Sequence, residues 1–207
     1  MFWKSVDGTG QRDEFPPGEY PRFPSSFTPD GKTLAFVEVD PSTKSDIWLT
    51  PVDGDRKAQP LLNTDAAEFA PKFSPDGHWL AYVSDETGRE EVYIRPIGSP
   101  GGRRRISTGG GRYPTWNRNG RELFFVKGDK LASIALDVQM NRIGQEQIIW
   151  DAPKFENLQF QASSPYYDVM PDGEHFVVLL APQYPSPTHY NVVVNWLEEL
   201  KQRVPVK

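Results

Sequence analysis

The 207-residue chain contains no cysteine. That removes disulfides, thiolate nucleophiles and cysteine–zinc sites at once. It leaves the compartment open, because a large β core needs no cross-links. Histidine is scarce: His78, His175 and His189 are the three. No H-E-x-x-H pair and no G-x-S-x-G elbow occurs. The longest apolar run, Phe176 to Ala181, is far too short to span a bilayer, so no membrane partner is expected. No basic segment followed by an apolar stretch opens the chain, so no signal peptide is expected, and a periplasmic or a cytoplasmic parent protein fits equally. A net charge of −5 argues against a nucleic-acid partner. Gly109-Gly110-Gly111 lacks the lysine and following helix of a phosphate loop and reads as a flexible connection.

Turn residues and aromatics are abundant. Twenty prolines and 17 glycines punctuate the chain, and aromatics make up 13% of it. Four stretches repeat: "FTPDGKTLAFVEV" at 27–39, "FSPDGHWLAYVSD" at 73–85, "WNRNGRELFFVKG" at 116–128 and "VMPDGEHFVVLLA" at 169–181. Their glycines, Gly31, Gly77, Gly120 and Gly173, lie about 43 to 53 residues apart, the period of a propeller blade. Proline presets φ, and glycine supplies the positive φ that closes the turn. Asp30, Asp76 and Asp172 read as caps of the backbone just ahead. Asn119 fills that position uncharged, which favours a structural role over an acid–base one. The strand after each turn is apolar without alternation, as in Leu80-Ala81-Tyr82-Val83, so both of its faces are expected to be buried. Ala35 and Ala81 share one phase, where neighbouring sheets would approach closely.

These features predict an all-β fold: a β-propeller of about five blades in a single domain over 1–207. The units run at about 20–64, 65–108, 109–152 and 160–195, with a partial one at 1–19. Third strands are expected at Asp46 to Pro51, Glu91 to Pro96, Lys130 to Leu136 and Tyr190 to Val194. Outer strands are expected at Gln59 to Leu62, Arg103 to Ser107 and Gln147 to Trp150. "FWKSVDGTGQRDEF" at 2–15 parallels "IWLTPVDGDRKAQPL" at 47–61, so the chain opens on the second half of a blade. Phe2 to Val6 is expected to close the ring as the outer strand of the last blade. An open ring would instead complete itself as a homodimer. Asn195 is a good helix N-cap, so a short helix is expected over 195–203.

The four in-phase turns resemble the TolB-like propeller repeats, a WD-like family with a Ser-Pro-Asp-Gly signature. "EFAPKFSPDGHWLAYVSDETGREEVYIRPIGSPGGRRRIS" at 68–107 carries the pattern most fully. "STGGGRYPTWNRNGRELFFV" and "VVVNWLEELK" are similar to the C-terminal propeller of bacterial serine/threonine protein kinases, although no kinase motif is present. The resemblance implies a non-catalytic scaffold or interaction propeller that binds a protein or a small molecule, within a larger sensor or scaffold protein.

In propellers the residues entering each first strand border the central channel, the default place for a ligand. Here these are Tyr20, Arg22, Glu68, Arg112, Tyr113, Tyr166, Tyr167 and Asp168. Glu68, Arg112, Tyr113, Tyr166 and Asp168 are the expected ligand-binding set, with none of them holding the core. The rival reading is a calcium-assisted hydrolase of small lactones or esters, with Glu68 and Asp168 as metal ligands and the cation as Lewis acid. Two carboxylates fall short of the six to eight oxygens calcium takes, so waters and carbonyls would supply the rest. No other cofactor is implied. His78 and His175 recur at nearly one phase after their turns, which reads as two exposed strand starts.

Overall fold

The computed structural model describes residues 1–99, 102–137, 140, 143–151 and 167–178. Every regular element among them is a β-strand. A short hairpin pairs β1 (Phe2–Trp3) with β2 (Asp13–Glu14). The first full sheet holds β3 (Arg22–Phe27), β4 (Thr33–Asp40), β5 (Lys44–Pro51) and β6 (Gln59–Leu62) in that order. The second holds β7 (Glu68–Phe73), β8 (Trp79–Ser84), β9 (Glu91–Pro96) and β10 (Arg104–Arg105). The third holds β11 (Arg112–Trp116), β12 (Glu122–Lys127), β13 (Lys130–Leu136) and β14 (Ile143–Asp151). A fourth begins with β15 (Tyr167–Val169) and β16 (Phe176–Val178). All pairings are antiparallel between sequence neighbours, as propeller blades require.

The turns form as their chemistry dictates. Gly31, Gly77, Gly120 and Gly173 all take φ between 70° and 74°. Asp30 Oδ1 accepts from the Lys32 amide at 3.0 Å, Asp76 Oδ1 from His78 at 3.0 Å and Asp172 Oδ1 from Glu174 at 2.9 Å. Asn119 Oδ1 accepts from the Arg121 amide at 2.8 Å, so the uncharged residue does the same work. His78 and His175 are exposed. The turns of successive blades also meet. A Cβ on Gly77 would stand 3.1 Å from Pro29, and one on Gly173 would stand 2.6 Å from the Asn117 side chain.

The unbroken apolar strands serve two neighbours each. In the second blade Leu80 and Tyr82 face the first blade, clustered with Ala35 and Ile47. Ala81 and Val83 face the third blade, clustered with Trp116, Leu123 and Phe125. Phe124 and Val126 then face the fourth blade with Tyr167, Val169 and Phe176. The N-terminal hairpin covers the outer face of the first blade, where Phe15 packs on Leu34 and Val52. Arg56 of that blade pairs with Asp13 at 2.6 Å. Each buried side chain of this kind contributes about 1.5–3 kcal/mol.

The hairpin thus stands where the half-blade was expected, with β1 paired to β2 among the described residues. The strand that would pair with β1 to close the ring, at 190–194, lies outside the described residues, as does the helix at 195–203.

Candidate functional site

The first strand of each full blade carries a bulge, between Pro24 and Ser26, Phe69 and Lys72, and Arg112 and Thr115. The bulges of β7 and β11 hold Ala70 and Tyr113 at positive φ (53° and 54°) and expose main-chain groups to the next blade. Those groups are bonded across the joints. Ser25 Oγ donates to Pro71 O at 3.1 Å, the Phe73 amide to Ser26 Oγ at 3.1 Å and Trp116 Nε1 to Lys72 O at 3.0 Å. Tyr167 donates its hydroxyl to Tyr113 O at 2.8 Å, and burial pushes the Tyr167 phenol well above its ordinary range. These bonds tie the first strands of successive blades together.

At the end away from the repeat turns, the register gathers acids. Glu38 stands opposite Asp46, and Ser84 stands between Glu68 and Glu91. All four carboxylates are buried. Glu38 is paired with Arg22 at 2.5 Å. Glu91 is satisfied by the Ser107 hydroxyl at 2.5 Å and by the Gly109 and Gly110 amides at 2.9 and 3.0 Å. Asp46 receives the Thr43 hydroxyl at 2.5 Å, and Glu68 the Thr64 hydroxyl at 2.6 Å. Asp46 Oδ1 and Glu68 Oε2 are buried without a hydrogen bond. Burial raises both pKa values from their ordinary values. The charges of Asp40 and Glu38 add to the effect at Asp46, and those of Asp46, Glu86 and Asp85 at Glu68.

Beside these acids lies a cleft of about 410 Å³ between the first two blades. Phe23, Pro24, Val37, Val39, Phe69 and Ala70 form its apolar wall, and Ser25, Ser45 and Glu90 its polar edge. Phe23 and Val39 are 43% and 37% exposed, a high value for inner-strand apolar residues. Arg112 is ion-paired to Glu90 at the rim. The arrangement suits an apolar group with a polar end, enclosed on two sides by the facing sheets.

The expected site residues divide. Arg112 is exposed at the cleft's rim. Glu68 and Tyr113 are 1% and 5% exposed, so the expectation that these positions would not contribute to the core fails for both. The bulge turns Tyr113 into the joint with the fourth blade, and the crossing loop seals Glu68. Tyr166 lies outside the described residues. Asp168 is exposed and accepts from the Val169 amide at 2.9 Å. It stands at the phase of Lys72, four residues along β7 from Glu68, about 13 Å at a strand's rise. Lys72 is half-buried; burial lowers its pKa, and the charge of Asp168 opposes that shift. Glu68 and Asp168 therefore face different surroundings. Among the described residues, no three acidic or histidine side chains converge as a metal centre. Sequence reasoning missed Asp46, Phe23, Phe69 and Lys72. The signal for Asp46 was present, since Asp46 and Glu91 occupy one phase of successive third strands.

Successive four-stranded antiparallel sheets, packed face to face and turned at one shared motif, define a β-propeller. The chain belongs to the TolB beta propeller domain family, which it matches over residues 6–180. It is 31% identical over 153 residues to dipeptidyl-peptidase 5 of Trichophyton schoenleinii, covering 59% of this chain. It is 33% identical over 106 residues to tricorn protease homolog 1 of Streptomyces coelicolor, covering 50% of this chain and 9% of that protein. The chain spans about a fifth (21%) of the dipeptidyl-peptidase relatives' own length. Among solved structures, TolB from Acinetobacter baumannii superposes with a TM-score of 0.53 at 21% identity, over 72% of this chain and 38% of that one. That likeness shows the fold.

Proposed function

We propose that this chain is the propeller portion of a larger protein and acts as a non-catalytic binding module. Its ligand is a peptide segment that places an apolar side chain in the cleft between the first two blades. The observation that carries this reading is the cleft itself, with Phe23 and Val39 exposed in a wall otherwise closed by packed sheets. The peptidase relatives, whose chains extend far beyond the matched segment, support a peptide and a larger parent protein.

The test is a fluorescence-anisotropy titration with labelled dipeptide amides that vary in the apolar first residue. Binding is expected to weaken about tenfold in Phe23→Ser, since losing one well-buried apolar contact of ~1.4 kcal/mol has that effect. Wild-type affinity in a folded Phe23→Ser variant would remove the cleft from the function. The rival hydrolase is tested in the same preparation with simple lactones and esters. Turnover that needs calcium and disappears in Glu68→Gln and Asp168→Asn would favour it over the binding module.

A further inference from the structure

We propose that Asp46 and Glu68 form a binding site for a divalent cation of the calcium type, at the joint between the first two blades. This site is separate from the peptide cleft and does not depend on it.

Two structurally equivalent positions show what is missing. Asp46 in β5 and Glu91 in β9 occupy one phase of their third strands, and each sits beneath the loop that crosses to the next blade. Beneath the second crossing, Glu91 is met by one hydroxyl and two backbone amides. Beneath the first, Asp46 has the Thr43 hydroxyl, and the crossing brings in a second acid, Glu68, which has the Thr64 hydroxyl. The Asn63 side chain also approaches Asp46, yet Asp46 Oδ1 and Glu68 Oε2 are left buried without a hydrogen bond. Both residues are only 1% exposed, so bulk solvent does not screen their charges. A buried unpaired carboxylate oxygen is costly, and the two acids lie near enough for the charge of Asp46 to act on Glu68.

The neighbouring side-chain cations are engaged elsewhere. Arg22 is paired with Glu38, Lys44 with Asp85 and Arg103 with Glu86. Two carboxylates match the charge of a divalent ion. The available donors are oxygens: two carboxylates, the hydroxyls of Thr43 and Thr64, and the side-chain carbonyl of Asn63, which lies against Asp46. Oxygen-only donors favour calcium over zinc or copper. They are fewer than calcium's usual six to eight, and water completes the shell from the polar pocket that Thr64, Asp65 and Glu86 line just outside. Fewer than three acids or histidines converge here, so the affinity is expected to be that of a modest site.

The experiment uses the whole chain, stripped with chelator and titrated with calcium chloride by calorimetry and by thermal unfolding. Terbium luminescence provides a second readout. Wild type is expected to bind one calcium saturably, with a melting temperature that climbs with calcium concentration. Asp46→Asn and Glu68→Gln keep the shape and the threonine bonds. Each is expected to weaken binding by about tenfold or more, because affinity follows ligand charge. Asp129→Asn, which alters an acid in the hairpin of the third blade, is expected to bind as wild type. Two results would overturn the proposal. One is no saturable binding, with stability rising as pH falls, which would mean the pair holds a proton. The other is calcium binding unchanged in both folded variants, which would place the ion elsewhere.

Discussion

Phe124 and Phe125 are adjacent on β12 and point to opposite sides of one sheet. Phe125 is 0% exposed and packs against the second blade with Ala81, Val83 and Ile94. Phe124 is 2% exposed and packs against the fourth, its ring edge-on to Phe176 at 4.9 Å and 85°. Truncating a buried phenylalanine to alanine costs about 3 to 5 kcal/mol through lost transfer energy and the cavity left behind. Both Phe124→Ala and Phe125→Ala are therefore expected to cost that much, with Phe124→Ala also losing about 0.5–1.5 kcal/mol of aromatic pairing. For a chain of this size each kcal/mol lowers the melting temperature by about 2–4 °C, so Phe125→Ala should melt roughly 6–20 °C lower and Phe124→Ala somewhat lower still. The assay is urea denaturation of both variants beside wild type, with slopes compared to confirm that the same surface unfolds. In a sheet with one wet face, one of the two would be nearly neutral. A cost below about 1 kcal/mol for either residue would refute burial on both faces and with it the stacking of blades.

Gly31→Ala is expected to cost about 1–2 kcal/mol from left-handed backbone strain alone, since a Cβ there meets nothing within 4 Å. Gly173→Ala is expected to cost more, because its Cβ would stand 2.6 Å from Asn117 Oδ1; melting curves of the two variants check the order. Trp116→Phe keeps the ring buried but removes the bond to Lys72 O, and a loss of about 1–3 kcal/mol in chemical denaturation is expected. In chelator, the raised pKa values of Asp46 and Glu68 make ionisation oppose folding. Their contribution is fully favourable below the unfolded carboxylate range of about 3.9 to 4.3 and is lost as pH rises through the folded values. Glu68→Gln should thus gain on wild type as pH rises from 4 to 8, and a constant difference in urea midpoint across that range would refute the assignment.

The repeat, the turns and most strand positions could be read from the sequence because their causes are local. A glycine at positive φ and an aspartate capping the amide two residues ahead involve only near neighbours, so Gly77 and Asp76 declare themselves. Unbroken apolar runs such as Leu80 to Val83 announced burial on both faces, because no half-wet strand tolerates them. The site was less legible. Glu68, read as an open channel residue, is sealed beneath the loop that crosses between blades. Tyr113 turns into a blade joint because a bulge flips its backbone. Asp46 and Glu68 lie 22 residues apart in sequence, and only the packing of one blade on the next brings their charges together. The cleft lined by Phe23, Val39 and Phe69 likewise exists only where two sheets meet at a particular spacing. Local backbone chemistry determined the blades, whereas the distance and angle between blades, set by side chains remote in sequence, decided which acids are buried and where the surface stays open.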